Sequence, residues 1–233
     1  MNSQNDTILV VGGTSGIGLE IVKIFSEKNH KVYVFGRDSS ELDSLNLQNI
    51  FFNKVDLRNL AEVEEKCKDI ISKEKNGIDI IVNSAGIFFL KDCEELTIED
   101  YDKMFDVNVR ALIFITKFFV KNMKKKSRGK IFNIGSSSCY NGGKLSSLYC
   151  ASKHALLGYS KSISDELKNY GIRVCNLSPS STKTKMGKIP LASNQLYETF
   201  IDPREVAEAL YFISKFEGNM EIKELLLNRV NVQ

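Results

Sequence analysis

The sequence predicts an α/β fold, a three-layer sandwich in which helices cover both faces of a seven-stranded parallel sheet. Short β-rich runs alternate with longer amphipathic stretches from one end of the chain to the other. This alternation is typical of strand–helix–strand units with right-handed crossovers. Several β-rich runs are apolar at successive positions, which indicates strands that are buried on both faces.

Each element of this sandwich has a candidate segment. The strands are predicted at 7–11, 31–35, 50–55, 78–82, 130–134, 173–178 and 222–227. The helices are predicted at 16–29, 57–75, 98–126, 148–170 and 203–216. Thr97 and Asp100 resemble a capping box at the start of the third helix, and Asp202 before Pro203 places a capping carboxylate ahead of an N1 proline. This order predicts a Rossmann-like, doubly wound arrangement.

The length of 233 residues, 42% of them hydrophobic, suits one domain that spans 1–233. An irregular segment at about 180–200, rich in Ser, Thr and Lys, follows the sixth strand, so we expect it to form a substrate loop at the carboxyl edge of the sheet. The basic stretch 124–130 is interpreted as a solvated helix end, with an anion-binding role as the alternative.

Charge and cysteine content exclude several classes of protein. The 32 basic and 29 acidic residues nearly balance, which argues against nucleic acid and membrane surfaces as partners. The N-terminus is polar, unlike a signal peptide, and no run approaches the roughly 18 apolar residues of a membrane span. The five cysteines lack metal-ligand spacing, so we predict reduced thiols, no metal site and a cytoplasmic location.

A glycine-rich turn follows the first strand and precedes the first helix. Gly12, Gly16 and Gly18 would let the backbone approach a pyrophosphate closely, and the helix N-terminus would offer free N–H groups to the anion. A tight structural turn is the alternative reading. The cofactor-binding candidates in this turn are Gly12, Thr14, Ser15, Gly16, Ile17 and Gly18.

Arg37 follows the second strand, where dinucleotide folds that bind NAD carry a carboxylate for the ribose hydroxyls. A guanidinium pairs well with a 2′-phosphate, although the neighbouring Asp38 weakens this argument. The sequence therefore predicts a preference for NADP(H), with NAD(H) as a possible cofactor.

Tyr149 and Lys153 are four residues apart, so they share one face of a helix, and Ser136 lies thirteen residues before the tyrosine. A neighbouring ammonium favours the phenolate, so we expect Lys153 to lower the pKa of Tyr149 from about 10. Taken singly, these are ordinary helix and turn residues. Ser138 is the alternative to Ser136 as the serine of the proposed site.

With these motifs the chain resembles the short-chain dehydrogenase/reductase family over essentially its whole length. The residues that carry the resemblance are Gly12, Gly16, Gly18, Asp56, Asn83-Ser84-Ala85-Gly86, Asn108, Ser136, Tyr149, Lys153, Pro179 and Thr184. The resemblance implies that Tyr149 is the general acid/base, that Lys153 binds the nicotinamide ribose, that Ser136 binds the substrate oxygen, and that Asn108 supports Lys153 through a water. It also implies cofactor contacts from Asp56, Leu57, Asn83, Ala85, Gly86, Tyr149, Lys153, Pro179, Thr182 and Thr184.

Two positions depart from the family pattern: Val11 stands where the family has Thr, and Ser180 where it has Gly. The implied activity is an NADP(H)-dependent interconversion of a carbonyl and a secondary alcohol. A cofactor-binding sensor or scaffold on the same fold is the alternative. Fatty-acyl and sugar-derivative substrates remain open, and the loop lysines 183, 185 and 188 favour a polar or anionic one. The family also implies a homodimer or homotetramer.

Overall fold

The computed structural model describes residues 5–189 and 196–230. Within them, seven strands form one sheet in the order β3-β2-β1-β4-β5-β6-β7, and every neighbouring pair is parallel. The strands are Thr7–Val11 (β1), Lys31–Gly36 (β2), Ile50–Lys54 (β3), Ile80–Asn83 (β4), Gly129–Ile134 (β5), Ile172–Pro179 (β6) and Glu224–Leu227 (β7). The predicted doubly wound, Rossmann-like sheet is confirmed.

Helices cover the two faces of this sheet. They are Gly16–Glu27 (α1), Ser40–Asp43 (α2), Leu60–Lys73 (α3), Ile98–Phe105 (α4), Ala111–Lys126 (α5), Ser147–Leu167 (α6) and Pro203–Ser214 (α7). Ile8 and Val10 of β1 pack with α1 and α7, whereas Leu9 and Val11 pack with α3, α5 and α6. Side chains of a strand alternate between faces, so β1 contributes to both apolar cores.

Several predicted boundaries were wrong for local reasons. The helix predicted at 98–126 is interrupted by a π-helical segment, Asp106–Arg110, between α4 and α5. α3 begins at Leu60 rather than at 57 because the Asn59 side chain accepts hydrogen bonds from the N–H groups of Ala61 (3.2 Å) and Glu62 (3.3 Å). The short α2 was not predicted at all.

The two predicted helix caps are confirmed, and the second is itself a capping box in which Asp202 pairs with Glu205. The interpretation of 124–130 as a solvated helix end is only partly right. Lys130 is buried, and its Nζ donates to the Ser214 carbonyl at 2.6 Å and pairs with Glu217. A buried ammonium needs such partners because its desolvation is costly.

The segment after β6 folds back toward the sheet. The Lys183 N–H donates to the Ile201 carbonyl at 2.8 Å, and Thr182 forms an isolated parallel bridge with Ile201. Of the predicted substrate loop, 190–195 lie outside the described residues. Among the described residues, no helix is long and apolar enough to cross a membrane, and no cluster of three or more His, Cys, Asp or Glu side chains suits a metal ion.

A buried chain of hydrogen bonds links the central strands to the helices on one face. Asn83 Nδ2 donates to Asn133 Oδ1 (2.7 Å) and to Thr116 Oγ1 (3.2 Å), and Asn133 Nδ2 donates to Ser160 Oγ (2.8 Å). Both asparagines are fully buried. Because an unmatched polar group in such a place carries its full desolvation cost, the chain should contribute to stability as a unit.

We predict that Asn133→Ala lowers the free energy of unfolding by about 1–3 kcal/mol, since it leaves donors on Asn83 and an acceptor on Ser160 unpaired in the core. Urea denaturation followed by circular dichroism measures the change. Asn53→Ala is the matched control, because Asn53 lies in the edge strand β3 and its amide donates only to the Phe51 carbonyl nearby. Equal losses in the two variants would contradict the prediction.

Candidate active site

The glycine-rich turn lies at the carboxyl end of β1, where two stretches of backbone come into close contact. A Cβ atom on Gly12 would lie 2.6 Å from Ala85 Cα, and one on Gly18 would collide with the Gly12 carbonyl oxygen. Gly12 and Gly16 also have positive φ angles of 80° and 54°, which glycine adopts without strain. The turn therefore brings the ends of β1 and β4 together directly before α1.

The segment after β6 lies against the same turn. A Cβ atom on Gly16 would lie 3.1 Å from Thr184 Cγ2. Thr182 is buried, with its hydroxyl donating to the Ser180 carbonyl at 2.9 Å, and Pro179 is the last residue of β6. Thr184, one of the predicted cofactor-binding residues, is thus brought to the N-terminus of α1, the end of a helix that favours anions.

Gly86, which follows β4, lies between two of the predicted catalytic side chains. A Cβ atom there would lie 3.5 Å from Asn108 Oδ1 and 3.7 Å from Lys153 Nζ, at ordinary contact distance. Gly86 therefore brings the chain after β4 beside Asn108 and Lys153. The close backbone turn and the anion-favouring helix end together fit the pyrophosphate of a dinucleotide.

Tyr149 and Lys153 lie on one face of α6, as predicted. Lys153 Nζ is 5.8 Å from the centre of the Tyr149 ring and donates to the Ile134 carbonyl at 2.8 Å. The edge of the tyrosine ring meets Phe88, with 4.8 Å between ring centres and 88° between planes. Tyr149 is 9% exposed and Lys153 4%, so proton transfer here would take place largely away from bulk water.

Burial dominates the ionisation of both groups. It raises the pKa of Tyr149 to about 12, although a hydrogen bond with Ser136 acts in the opposite direction. Burial also lowers the pKa of Lys153 to about 8. The prediction that the pKa of Tyr149 lies below about 10 is wrong for this arrangement, because desolvation of the phenolate raises it. At neutral pH the tyrosine hydroxyl is therefore protonated.

Ser136 begins the turn that follows β5. Its hydroxyl accepts a hydrogen bond from the Ser138 N–H at 3.1 Å, and it is the serine whose hydrogen bond favours ionisation of Tyr149. Ser138 thus contributes its backbone to the turn, whereas Ser136 turns its side chain to the tyrosine. The structure favours Ser136 over Ser138.

Asn108 is buried in the π-helical segment. Its Oδ1 accepts from the Ile87 N–H (2.7 Å), and its Nδ2 donates to the Ile87 carbonyl (3.0 Å) and to Ser152 Oγ (3.1 Å). One side chain therefore joins the chain after β4 to the helix that carries Tyr149. Support of Lys153 through a water stays a prediction.

The predicted adenosine end of the site is exposed and charged. Asp38 accepts from the Ser40 N–H (3.1 Å) and hydroxyl (2.8 Å), so both of its carboxylate oxygens are bonded to the first residue of α2. Arg58 pairs with Asp56 at 2.6 Å and holds the pKa of that carboxyl below its usual range, with a smaller contribution from Arg37. Arg37 itself is exposed.

Two predicted cofactor-binding side chains have partners in the core. Asn83 is fully buried in the hydrogen-bonded chain described above, so a cofactor contact at this position would fall to its main chain. Leu57 packs against the apolar core under α3 and α5. Their contacts with a cofactor stay predictions.

Three residues of the site were missed by the sequence analysis. Gly36 leaves room for the Thr14 side chain, which would collide with any Cβ there. Ser152 receives the Asn108 hydrogen bond and donates to the Tyr149 carbonyl at 2.7 Å. Phe88 packs on the tyrosine ring. The position of Gly36 at the end of β2 could have indicated its role from the sequence. No sequence pattern pointed to Ser152 or Phe88.

Known proteins are similar to this chain in sequence. The family model described as short chain dehydrogenase matches residues 6–193. An uncharacterized oxidoreductase of Staphylococcus saprophyticus is 31% identical over 97% of this chain and 98% of its own. A 3-oxoacyl-[acyl-carrier-protein] reductase of Rickettsia prowazekii is 33% identical over 89% of this chain and 88% of its own.

Solved structures agree with the fold throughout. ElxO with NADP bound superposes with a TM-score of 0.86 at 26% identity, covering 97% of this chain and 98% of that one. A serine dehydrogenase complexed with NADP+ gives 0.84 at 25% identity, covering 95% and 94%. A 4-hydroxyisoleucine dehydrogenase complexed with NADH gives 0.88 at 24% identity, covering 97% and 98%, which shows the fold alone. The chain belongs to the short chain dehydrogenase family of oxidoreductases.

Proposed function

We propose that this protein is an NADP(H)-dependent oxidoreductase that interconverts a carbonyl group and a secondary alcohol. The observation that carries the proposal is that Tyr149 lies next to both Lys153 and Ser136, with Gly86 beside the lysine. A phenol that is protonated at neutral pH, next to an ammonium, is suited to give a proton to a carbonyl oxygen.

In this proposal the residues divide into binding and chemistry. The Gly12–Gly18 turn and the N-terminus of α1 would hold the pyrophosphate. Gly86 would leave room for the adenosine ribose, and Lys153 would donate to the hydroxyls of the nicotinamide ribose. Thr184, next to Gly16, is placed for the carboxamide end. The cofactor supplies the hydride when it is bound, which is chemistry that the protein orients rather than performs.

Proton transfer falls to this chain's own side chains. Tyr149 gives its hydroxyl proton to the substrate oxygen during reduction and takes it back during oxidation. Lys153, charged below its pKa of about 8, stabilises the phenolate that remains after donation. Ser136 donates a hydrogen bond to the substrate oxygen as negative charge builds there. Phe88 keeps the ring of Tyr149 in position by edge-on packing.

The preference for NADP(H) rests on Arg37, whose exposed guanidinium follows β2, and on the Asp38 carboxylate being already bonded to Ser40. The NADP-bound ElxO and serine dehydrogenase structures support it. NAD(H) stays a possible cofactor, and the NADH-bound neighbour is similar only in fold.

For the substrate, the structure weakens the argument for an anionic group. Lys185 pairs with Glu41 at 2.6 Å, and Lys188 lies 5.0 Å from the centre of the Tyr197 ring. Two of the three loop lysines thus have partners already. The relative named as a 3-oxoacyl-[acyl-carrier-protein] reductase favours the fatty-acyl alternative.

A sensor or scaffold would need the glycine turn but not a proton donor, so the joint presence of Ser136, Tyr149 and Lys153 favours the enzyme.

We also propose that 1–233 is a single domain with a substrate loop at 180–200, and that the protein is cytoplasmic. Resemblance to the family supports a homodimer or homotetramer.

We predict that Tyr149→Phe lowers kcat for NADPH-dependent carbonyl reduction at least a hundredfold, because the proton donor is lost, while the Kd for NADPH changes little. Stopped-flow absorbance at 340 nm and fluorescence titration measure the two quantities with a panel of aldehydes, ketones and 3-oxoacyl thioesters. Tyr159→Phe is the matched control, since Tyr159 lies in the same helix and burial likewise raises its pKa to about 12. NADPH binding without turnover by the wild type across the panel would favour the sensor.

Arg37→Ala is expected to raise the KM for NADPH about tenfold and to leave the KM for NADH unchanged, because a charge-assisted contact contributes about 1.5–3 kcal/mol. Lys125→Ala is the control, because Lys125 lies in the last turn of α5, directly before β5 begins and therefore at the amino ends of the strands. Steady-state kinetics with both cofactors measure the difference. An equal rise for NADH and NADPH would refute the 2′-phosphate contact.

The lowered pKa of Lys153 predicts an alkaline limit to cofactor use. kcat/KM for NADPH reports ionisations of the free enzyme. It should stay level up to about pH 8, where the ammonium remains charged, and should fall by up to tenfold per pH unit above that. kcat/KM falls as the pH rises because Lys153 then loses its proton, and the neutral amine cannot stabilise a phenolate. A level profile to pH 10 would disprove this role for Lys153.

A further inference from the structure

The turn that carries Ser136 is attached to α6 at its inner end. Cys139 Sγ donates to the Lys153 carbonyl at 3.3 Å and accepts from the Ser136 N–H at 3.4 Å. Cys139 is buried. One thiol thus connects the first residue of the turn to the backbone of the helix that carries Tyr149.

The outer end of the turn is held by a residue from the far edge of the sheet. The Tyr140 hydroxyl donates to Glu224 Oε2 at 2.7 Å, and Lys161 of α6 pairs with Glu224 Oε1 at 3.0 Å. Glu224 is the first residue of β7, where it is in register with Asn176 of β6. A single carboxylate therefore contacts the serine turn with one oxygen and the helix of Tyr149 with the other.

Beyond Tyr140 the chain loses this support. The four residues 141–144 are all exposed, and a Cβ atom on Gly142 would meet nothing within 4 Å. The Glu224 contact is thus the last tertiary anchor of the turn before an exposed loop. If this anchor is released, movement of the loop can pass back to Ser136, four residues earlier.

We propose that Glu224 is a positioning residue for the reaction: it holds the Ser136 turn and the Tyr149 helix at a fixed separation through Tyr140 and Lys161. The inference rests on the proposed function for its catalytic consequence. A hydroxyl that must meet both the substrate oxygen and the tyrosine tolerates little displacement, because a shift of about 1 Å can cost up to a hundredfold in rate.

The test compares Glu224→Ala, Tyr140→Phe and the double variant. Each single variant should lower kcat for NADPH-dependent carbonyl reduction about tenfold and leave the KM for NADPH within about twofold. The double variant should be no slower than Glu224→Ala, because Glu224→Ala already removes the contact with Tyr140. Amide hydrogen exchange in 136–141 should become faster in all three, a readout that needs no turnover.

Glu221→Ala is the matched control. Glu221 precedes β7 and accepts from Ser164 of α6 at 2.8 Å. It therefore connects the chain before β7 to α6 without contacting the serine turn. It should change neither kcat nor exchange in 136–141. Equal effects of Glu221→Ala and Glu224→Ala, or unchanged exchange in Glu224→Ala, would overturn the proposal.

A loss of folding in Glu224→Ala would be resolved by Glu224→Gln, which keeps an acceptor for Tyr140 but loses the charge opposite Lys161. We expect an intermediate loss of kcat in that variant. Absence of turnover in the wild type would overturn the proposed function instead, and the exchange measurements would still decide on the anchor.

Discussion

The close approach of two backbone bends, one after β1 and one after β4, is the constraint on which the rest of the site depends. Gly12 lies so near to Ala85 that any side chain at Gly12 would collide with the Ala85 backbone. The same contact fixes where α1 begins and where Gly86 leaves the sheet. The sheet itself therefore sets the distance between the anion-favouring end of α1 and the pair Tyr149 and Lys153.

The second determinant is the burial of charge. Lys153 lies inside the protein with its Nζ directed to the Ile134 carbonyl, an arrangement that costs free energy unless something compensates for it. Such a residue is unfavourable for the fold alone. Strongly shifted pKa values concentrate at functional sites. The position of Lys153 between the tyrosine ring and Gly86 therefore agrees with a role in the proposed reaction.

The parts that depend on local pattern could be predicted from the sequence. The alternation of strands and helices, the glycine turn, the two helix caps and the shared face of Tyr149 and Lys153 all follow from local sequence patterns. The π-helical segment was missed because the apolar pattern of 98–126 continues through it. The raised pKa of Tyr149 was missed because burial depends on tertiary packing, and Glu224 reaches Tyr140 from 84 residues away.

The π-helical segment Asp106–Arg110 also limits how this part of the chain can vary in length. It accommodates one residue more than a regular α-helix would, and Asn108 uses that place to reach both Ile87 and Ser152. Removal of one residue would restore regular α-helical winding and close the wider turn, while α4 and α5 kept nearly the same relative orientation. The Asn108 amide would then lose the position from which it bonds to Ile87 and Ser152. Natural insertions and deletions should therefore be rare between α4 and α5, even where substitutions are accepted.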